Sequence, residues 1–369
     1  MRSRKTLETN ELLGELSKKL VGQPDALQEI VPFIEVAQAG LAPEGRPAGV
    51  FLLLGPTGTG KTRTVEVLTD TLHGAEGRYL RIDCGEFQME HEVAKLIGAP
   101  PGYLGHRETQ PAITQQKLAA VTSESCDLPI VLFDEIEKAA PTLIRLLLGV
   151  LDRGTLTLGD NSTVLFEKCL VFMTSNLGAK EMMRELNPKF GFESCSELSS
   201  SEVADKIERV GMAAVRRKFP PEFVNRLDVV LTYKPLDSTA LDAILNHQVH
   251  NLERHVEKRL GAGAFQLNLD QDSRAFLLAQ GTSTEYGARE LKRVVHRHLT
   301  QPIATCLARG EISRGGVVDV ALDEDRSGLA FFPGESSQTR VLPIAAARAS
   351  SGVNYEAPIR AGAGRSRAV

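Results

Sequence analysis

The sequence predicts an α/β fold: a mostly parallel sheet covered by helices on both faces, followed by a smaller, mainly helical domain. Three observations predict it. Short apolar runs alternate with helical or loop segments over roughly the first 235 residues. A glycine-rich stretch follows the first of those runs directly, and a helical pattern follows the glycines. After Pro235 the apolar residues switch to a helical spacing.

Residues 8–40 read as helical and end at Gly40, with a break at Leu20-Val21-Gly22-Gln23 that leads into a second helix starting near Pro24. Strands are predicted at 50–54, 78–83, 130–133, 169–174 and 228–233. From Ser238 onward Leu241, Ile244, Leu245, Val249, Leu252 and Val256 share one helix face. Further helices are predicted at 271–280 and 287–308, then a short closing strand at Val317-Val318-Asp319-Val320. Beyond Pro333 the composition turns to Ser, Ala, Gly and Arg with little apolar periodicity, which predicts a disordered tail. The expected organisation is therefore a large α/β domain over 1–235, a small helical domain over 236–332 and the tail over 333–369.

The formal net charge of the 369 residues is -4, and no basic, aromatic-interleaved stretch stands out. That balance argues against nucleic acid or an anionic membrane surface as a partner. Five cysteines (Cys84, Cys126, Cys169, Cys195, Cys306) lack CxxC spacing, which argues against a metal cluster or disulfide framework and fits a reducing cytoplasm. No apolar stretch reaches transmembrane length, and Met1-Arg2-Ser3-Arg4-Lys5 does not lead into a signal-peptide core. His247, His250 and His255 share one predicted helix without an i, i+4 pair, and His296 and His298 point to different sides, so a solvated face is expected rather than a metal site.

The chemistry concentrates in two places. Gly55-Pro56-Thr57-Gly58-Thr59-Gly60-Lys61-Thr62 follows the run Phe51-Leu52-Leu53-Leu54 and precedes a helix marked by Val65, Leu68 and Leu72. Glycines let the backbone wrap a polyphosphate with its N–H groups inward, and a helix N-terminus adds partial positive charge. Lys61 would reach the β and γ phosphates and the Thr62 hydroxyl would hold Mg²⁺. The run Ile130-Val131-Leu132-Phe133 ends in Asp134-Glu135, at the strand end where open α/β sheets bind ligands. Asp134 can serve the Mg²⁺ shell and Glu135 can polarise an attacking water, so two acids in sequence suggest hydrolysis.

Seven ordered stretches, running from about residue 12 to about residue 322, together resemble the second ATPase module of the Clp-type AAA+ protein unfoldases and disaggregases. They are Val21-Gly22-Gln23, the loop 55–62, Gly98-Ala99-Pro100-Pro101-Gly102-Tyr103-Leu104-Gly105, Phe133-Asp134-Glu135-Ile136-Glu137-Lys138-Ala139, Thr174-Ser175-Asn176-Leu177-Gly178, Pro221-Glu222-Phe223-Val224-Asn225-Arg226-Leu227-Asp228 and Tyr286-Gly287-Ala288-Arg289-Glu290-Leu291-Lys292-Arg293. The resemblance implies an AAA+ P-loop NTPase fold with a helical lid, and ATP with Mg²⁺ as cofactors held by Val21, Gly58, Thr59, Gly60, Lys61, Thr62 and Asp134. It implies catalytic roles for Glu135, for Asn176 as the first sensor, for Arg226 as a finger reaching a neighbouring subunit's nucleotide, and for Arg289 as the second sensor. A trans-acting arginine implies a ring, expected as a homo-hexamer. Tyr103 and Leu104, between glycines, match the loop that grips polypeptide in the central pore.

The sequence also departs from the family. The chain starts almost at the ATPase core, so the substrate-recognition domain, the first ATPase module and the coiled-coil insertion of the large members are expected to be missing. His106 to Asp127 differs, with Gln110-Pro111 where a glycine pair is usual. Phe190-Gly191-Phe192 lies where members that feed a ClpP-like barrel peptidase present an aliphatic-Gly-apolar tripeptide, but with Phe at the aliphatic position, and packing of both rings beneath their own loop is the competing reading. The expected function is an ATP-driven unfoldase that threads polypeptide through a ring, acting alone or with a peptidase or adaptor. A nucleic-acid loader or motor and a nucleotide-gated scaffold are the competing readings.

Overall fold

The computed structural model describes residues 9–74, 77–98, 110–186, 200–261, 264–282, 287–310, 316–323 and 325–333. Its strands in chain order are β1 (Gly49–Leu54), β2 (Leu80–Asp83), β3 (Ile130–Asp134), β4 (Thr155–Thr157), β5 (Thr163–Leu165), β6 (Leu170–Ser175), β7 (Val229–Thr232), β8 (Gln266–Leu269), β9 (Val317–Leu322) and β10 (Leu329–Pro333). Five of them form one all-parallel sheet in the order β2-β3-β6-β1-β7.

All six residues of β1, all five of β3 and all six of β6 are buried, which is why these strands read as continuous apolar runs. The twofold alternation of a strand still sorts their side chains. Val50, Leu52 and Leu54 join a core cluster on one face with Val131, Phe133, Leu147 and Phe223. Phe51 and Leu53 join a second cluster on the other face with Ile30, Val65, Leu68 and Phe172. There Phe51 stacks on Phe172 at 4.9 Å between ring centres and meets Phe33 edge-on at 5.1 Å. Each such side chain withdrawn from water contributes about 1.5–3 kcal/mol before entropy is counted.

The two helices expected over 8–40 are Thr9–Lys19 and Pro24–Gln38, with the break where the sequence places it. After β7 comes the Ser238–Leu260 helix, capped by the Asp237 carboxylate, which accepts from the Ala240 amide at 2.7 Å. The Gln271–Gly281 helix is capped in the same way by Asp270. The helix expected at 287–308 is Ala288–Val295, a π-helical turn at His296–Thr300 and Gln301–Ala308. Pro302 has no N–H to donate to the preceding turn, so the regular ladder is interrupted there.

Two features lie outside the sequence reading. β4 and β5 form a small hairpin. β8 and β10 flank β9, giving the helical part a three-stranded sheet where one strand was expected. The expected tail lies outside the described residues beyond Pro333. Among the described residues no helix is long and apolar enough to cross a membrane.

Candidate nucleotide site

The strand order brings the site together. Because β6 lies between β1 and β3, the loop after β1, the acids after β3 and Asn176 after β6 end up side by side at the C-terminal edge of the sheet. A cavity of about 720 Å³ opens there, walled by the loop 57–62, by β2 and β3, and by the helices that follow Pro235.

The loop after β1 has the backbone that a phosphate cradle needs. Gly55, Gly58 and Gly60 have φ of 143°, 78° and 106°, values that favour glycine. A Cβ on Gly55 would sit 2.6 Å from the Tyr233 carbonyl oxygen, so the chain passes too close to the end of β7 for any side chain. Thr59 closes the turn by donating to the Pro56 carbonyl at 2.9 Å. Behind the loop, the hydroxyls of Thr64 and the fully buried Tyr233 share a hydrogen bond of 2.6 Å. Burial pushes the Tyr233 phenol up, which keeps it neutral.

Lys61 opens the Lys61–His73 helix and is almost wholly buried. Its ammonium donates to the carbonyls of Gly55 at 2.6 Å and Pro56 at 2.8 Å and to Asn176 Oδ1 at 3.0 Å. Desolvation pulls its pKa down to about 8, opposed first by the nearby Glu137 carboxylate. A buried cation held by neutral oxygens is poised to meet an anion. Lys61 and Asn176, 115 residues apart in the chain, thus share a bond.

Asp134, also buried, accepts a hydrogen bond from the Thr174 hydroxyl on Oδ1 and one from Arg81 at 2.5 Å on Oδ2. Glu135 sits in the left-handed region at φ 55°, ψ 49°, its amide donating to Thr174 Oγ1 at 3.0 Å and its carboxylate paired with Lys138 at 2.5 Å. A non-glycine residue in that region stores strain of roughly 1–3 kcal/mol, here fixed by the bond to Thr174. Glu137 accepts from the Asn176 amide at 3.1 Å, and its second oxygen is buried without a hydrogen-bond partner. Thr62 and Asp134 face the same cavity and offer hard oxygen donors, the set that suits Mg²⁺.

Val21, Leu20, Leu236 and Ile244 give one end of the cavity an apolar lining suited to a base. Arg289 faces the cavity from the start of the Ala288–Val295 helix. That helix is fastened to the loop directly: the Ala288 amide donates to the Gly58 carbonyl at 3.1 Å, and a Cβ on Gly287 would lie 3.0 Å from the same oxygen. Gln23 ties the other side, donating to the carbonyls of Thr59 at 3.2 Å and Lys234 at 2.8 Å. His247 and His255 are exposed, as a solvated face requires, and lie on the cavity rim; His296 also faces the cavity, while His298 packs edge-on against Phe276.

Arg226 does not line this cavity. It lies half-exposed after the Pro221–Val224 turn, paired with Asp152 at 2.9 Å. Tyr103, Leu104, Phe190, Gly191 and Phe192 lie outside the described residues. Sequence reasoning assigned no role to Arg81, Thr174, Glu137 or Gln23. The last three stand inside quoted motifs, and Arg81 could have been suspected from a charged residue within a strand two positions before Asp83, which also lines the cavity.

Comparison with known proteins agrees with this fold. Residues 46–230 match the family described as AAA domain (Cdc48 subfamily), and residues 236–320 match the C-terminal, D2-small domain of ClpB protein. The chaperone protein ClpB of Rhizobium meliloti is 38% identical over 314 residues, covering 85% of this chain and 33% of that protein. Its counterpart in Aquifex aeolicus is 34% identical over 336 residues, covering 91% and 32%. The chain thus spans about a third of the length of the curated relatives it matches. Among solved structures, the closed state of Hsp104 with ATPyS and FITC casein has a TM-score of 0.73 at 28% identity, covering 89% of this chain and 53% of that one. The S. cerevisiae Hsp104:casein complex in its extended conformation gives 0.74 at 29%, with the same coverage. The chain belongs to the AAA domain family of ATPases, as a Clp-type AAA+ second module with its large α/β part and its D2-small part in sequence.

Proposed function

We propose that this chain hydrolyses ATP to remodel proteins, as a ring-forming chaperone that draws polypeptide through a central pore. The observation that carries the ATPase part is the convergence of Lys61, Asp134, Glu135, Asn176 and Arg289 on one cavity. Gly58, Thr59, Gly60 and Lys61 hold the phosphates, Val21 borders the base, and Thr62 with Asp134 would hold Mg²⁺, whose contribution when bound is to neutralise phosphate charge. Glu135 accepts hydrogen bonds from a water that Asn176 helps to place. Lys138 pairs with Oε2 of Glu135, which leaves Oε1 to take that water.

Arg226 supplies positive charge to the site of the next subunit, which is why it stands away from the cavity of its own chain and why we propose a homo-hexamer. The boundary near residue 235 then separates the unit that holds the nucleotide from a lid that moves with it through Arg289. Tyr103 and Leu104 grip the polypeptide through undirected apolar contact. The chaperone names of the relatives and the casein in the two Hsp104 structures favour protein over nucleic acid as the substrate. Docking of a peptidase through Phe190-Gly191-Phe192 is the lesser reading. We place the protein in the cytoplasm, since its five cysteines carry no CxxC or disulfide-framework spacing. The test is Tyr103→Ala: refolding or unfolding of a reporter protein is lost while ATP hydrolysis survives. Remodelling that continues at the wild-type rate contradicts the threading mechanism.

A further inference from the structure

We propose that Arg81 is a positioning residue that holds Asp134 while no divalent cation is present and gives way when one arrives, so that metal loading displaces a guanidinium. The inference rests on reading the cavity as a Mg²⁺–nucleotide site.

Three observations carry it. First, the two oxygens of Asp134 are divided: Oδ1 takes the Thr174 hydroxyl and Oδ2 takes Arg81 Nη2 at 2.5 Å. Thr174 is buried and also receives the Glu135 amide, so its bond is part of the fixed frame. Oδ2 is the oxygen left for a cation, and Arg81 stands on it. Second, the neighbouring acids have partners of their own. Asp83 accepts from the Gly85 amide at 2.9 Å, Glu135 pairs with Lys138, and Glu137 accepts from the Asn176 amide. Arg81 is therefore the cation matched to Asp134, and a carboxylate this buried needs one. Third, the Arg81 side chain is 51% exposed whereas that of Asp134 is 12% exposed. A half-exposed guanidinium returns to water at little cost, so the pair is easily opened from the arginine side.

The strand register makes this placement possible. Arg81 and Asp83 project from the same side of β2, and Asp83 is paired with Asp134 on β3, so Arg81 reaches forward along the sheet edge to the acid. Ile82 between them points into the core.

The experiment is a Mg²⁺ titration of fluorescent ADP binding, from EDTA-treated protein, for wild type, Arg81→Gln, Arg81→Lys, Asp134→Asn and the Arg81→Gln/Asp134→Asn double variant. With the competitor removed, the Mg²⁺ midpoint of Arg81→Gln falls by ~3–10-fold relative to wild type, a coupling of ordinary size for two cations sharing one carboxylate. Metal-free nucleotide affinity falls in the same variant, because the Asp134 charge then faces the phosphates uncompensated. Arg81→Lys keeps the charge and gives an intermediate midpoint. In the Asp134→Asn background the Arg81 substitution no longer shifts the midpoint. An unchanged or raised midpoint in Arg81→Gln, or an equal shift with and without Asp134, overturns the inference; should Arg81→Gln not fold, a wild-type midpoint in Arg81→Lys does so. If wild type binds no nucleotide at any Mg²⁺ concentration, it is the reading of the cavity that fails.

Discussion

The two walls of the nucleotide cavity are held by different means. On the sheet side Lys61, Asp134 and Thr174 are buried, and each is fixed by hydrogen bonds that run between strand ends. On the lid side Arg289 is exposed, and the junction with the loop rests on the Ala288 amide and the close passage of Gly287 against Gly58. The sheet side is therefore suited to chemistry, which needs groups placed in advance. The lid side is suited to reporting, because a junction of a few bonds can be made or broken at modest cost. Arg226 lies outside both walls, and we propose for it a third level, the contact between subunits.

Substitutions should separate these levels, beginning with the sheet side. Glu135→Gln should lower the rate of ATP hydrolysis by about 10³-fold, within the usual range for loss of a general base, while nucleotide affinity stays near wild type. Steady-state turnover and equilibrium binding measured on one preparation would check both halves. Lys61→Ala should weaken nucleotide binding by on the order of 100-fold, since it removes a desolvated charge-assisted contact. Isothermal titration would read the loss, and a change below threefold would mean that Lys61 keeps facing its own loop carbonyls in the bound state.

The lid side should respond less. Gly287→Ala puts a methyl group 3.0 Å from the Gly58 oxygen at a φ of 50°. The local cost, about 1–2 kcal/mol, should appear as a nucleotide affinity lowered by roughly tenfold with the thermal unfolding of the large part almost unchanged. A lid that is in fact rigidly fixed would instead lose stability as a whole.

The pH dependence acts through one group. Lys61 is held near 8 when no anion is present, and bound phosphates would restore it toward its ordinary 10.5. Binding above pH 8 should therefore take up a proton, and affinity should fall as pH rises through 8, by up to tenfold per unit. Calorimetry in two buffers of different ionisation heat should show little proton uptake at pH 7 and close to one proton at pH 9. The sign for folding is opposite. Between 8 and 10.5 the unfolded chain binds more protons at this lysine than the folded one, so this group makes the empty fold more stable as pH rises.

The legibility of the sequence follows the same division. The phosphate loop was readable because its chemistry is local: glycines, lysine and threonine must be consecutive to wrap one ligand. Asp134 and Glu135 were readable because a buried strand announces its end with the first charge. Arg81, Thr174 and Glu137 escaped because their roles depend on strand order, and β6 lying between β1 and β3 is a property of no single segment. β8 reads as the alternation Gln266-Leu267-Asn268-Leu269 and its partner β9 begins about 50 residues later, so pairing rather than local pattern defines the strand. The run Leu329-Ala330-Phe331-Phe332 of β10 carried a usable apolar signal that lay at the edge of the composition change after Pro333.

The central claim is that hydrolysis needs two chains, one with Glu135 and the other with Arg226. Glu135→Gln and Arg226→Ala variants, each of negligible activity alone, should be mixed as assembled rings are allowed to exchange subunits, and ATP hydrolysis followed. The account predicts that the mixture regains activity, because a site with an intact Glu135 meets the intact Arg226 of a Glu135→Gln neighbour. A mixture no more active than the sum of its parts, with exchange verified by mass, would show that Arg226 does not act across the subunit boundary.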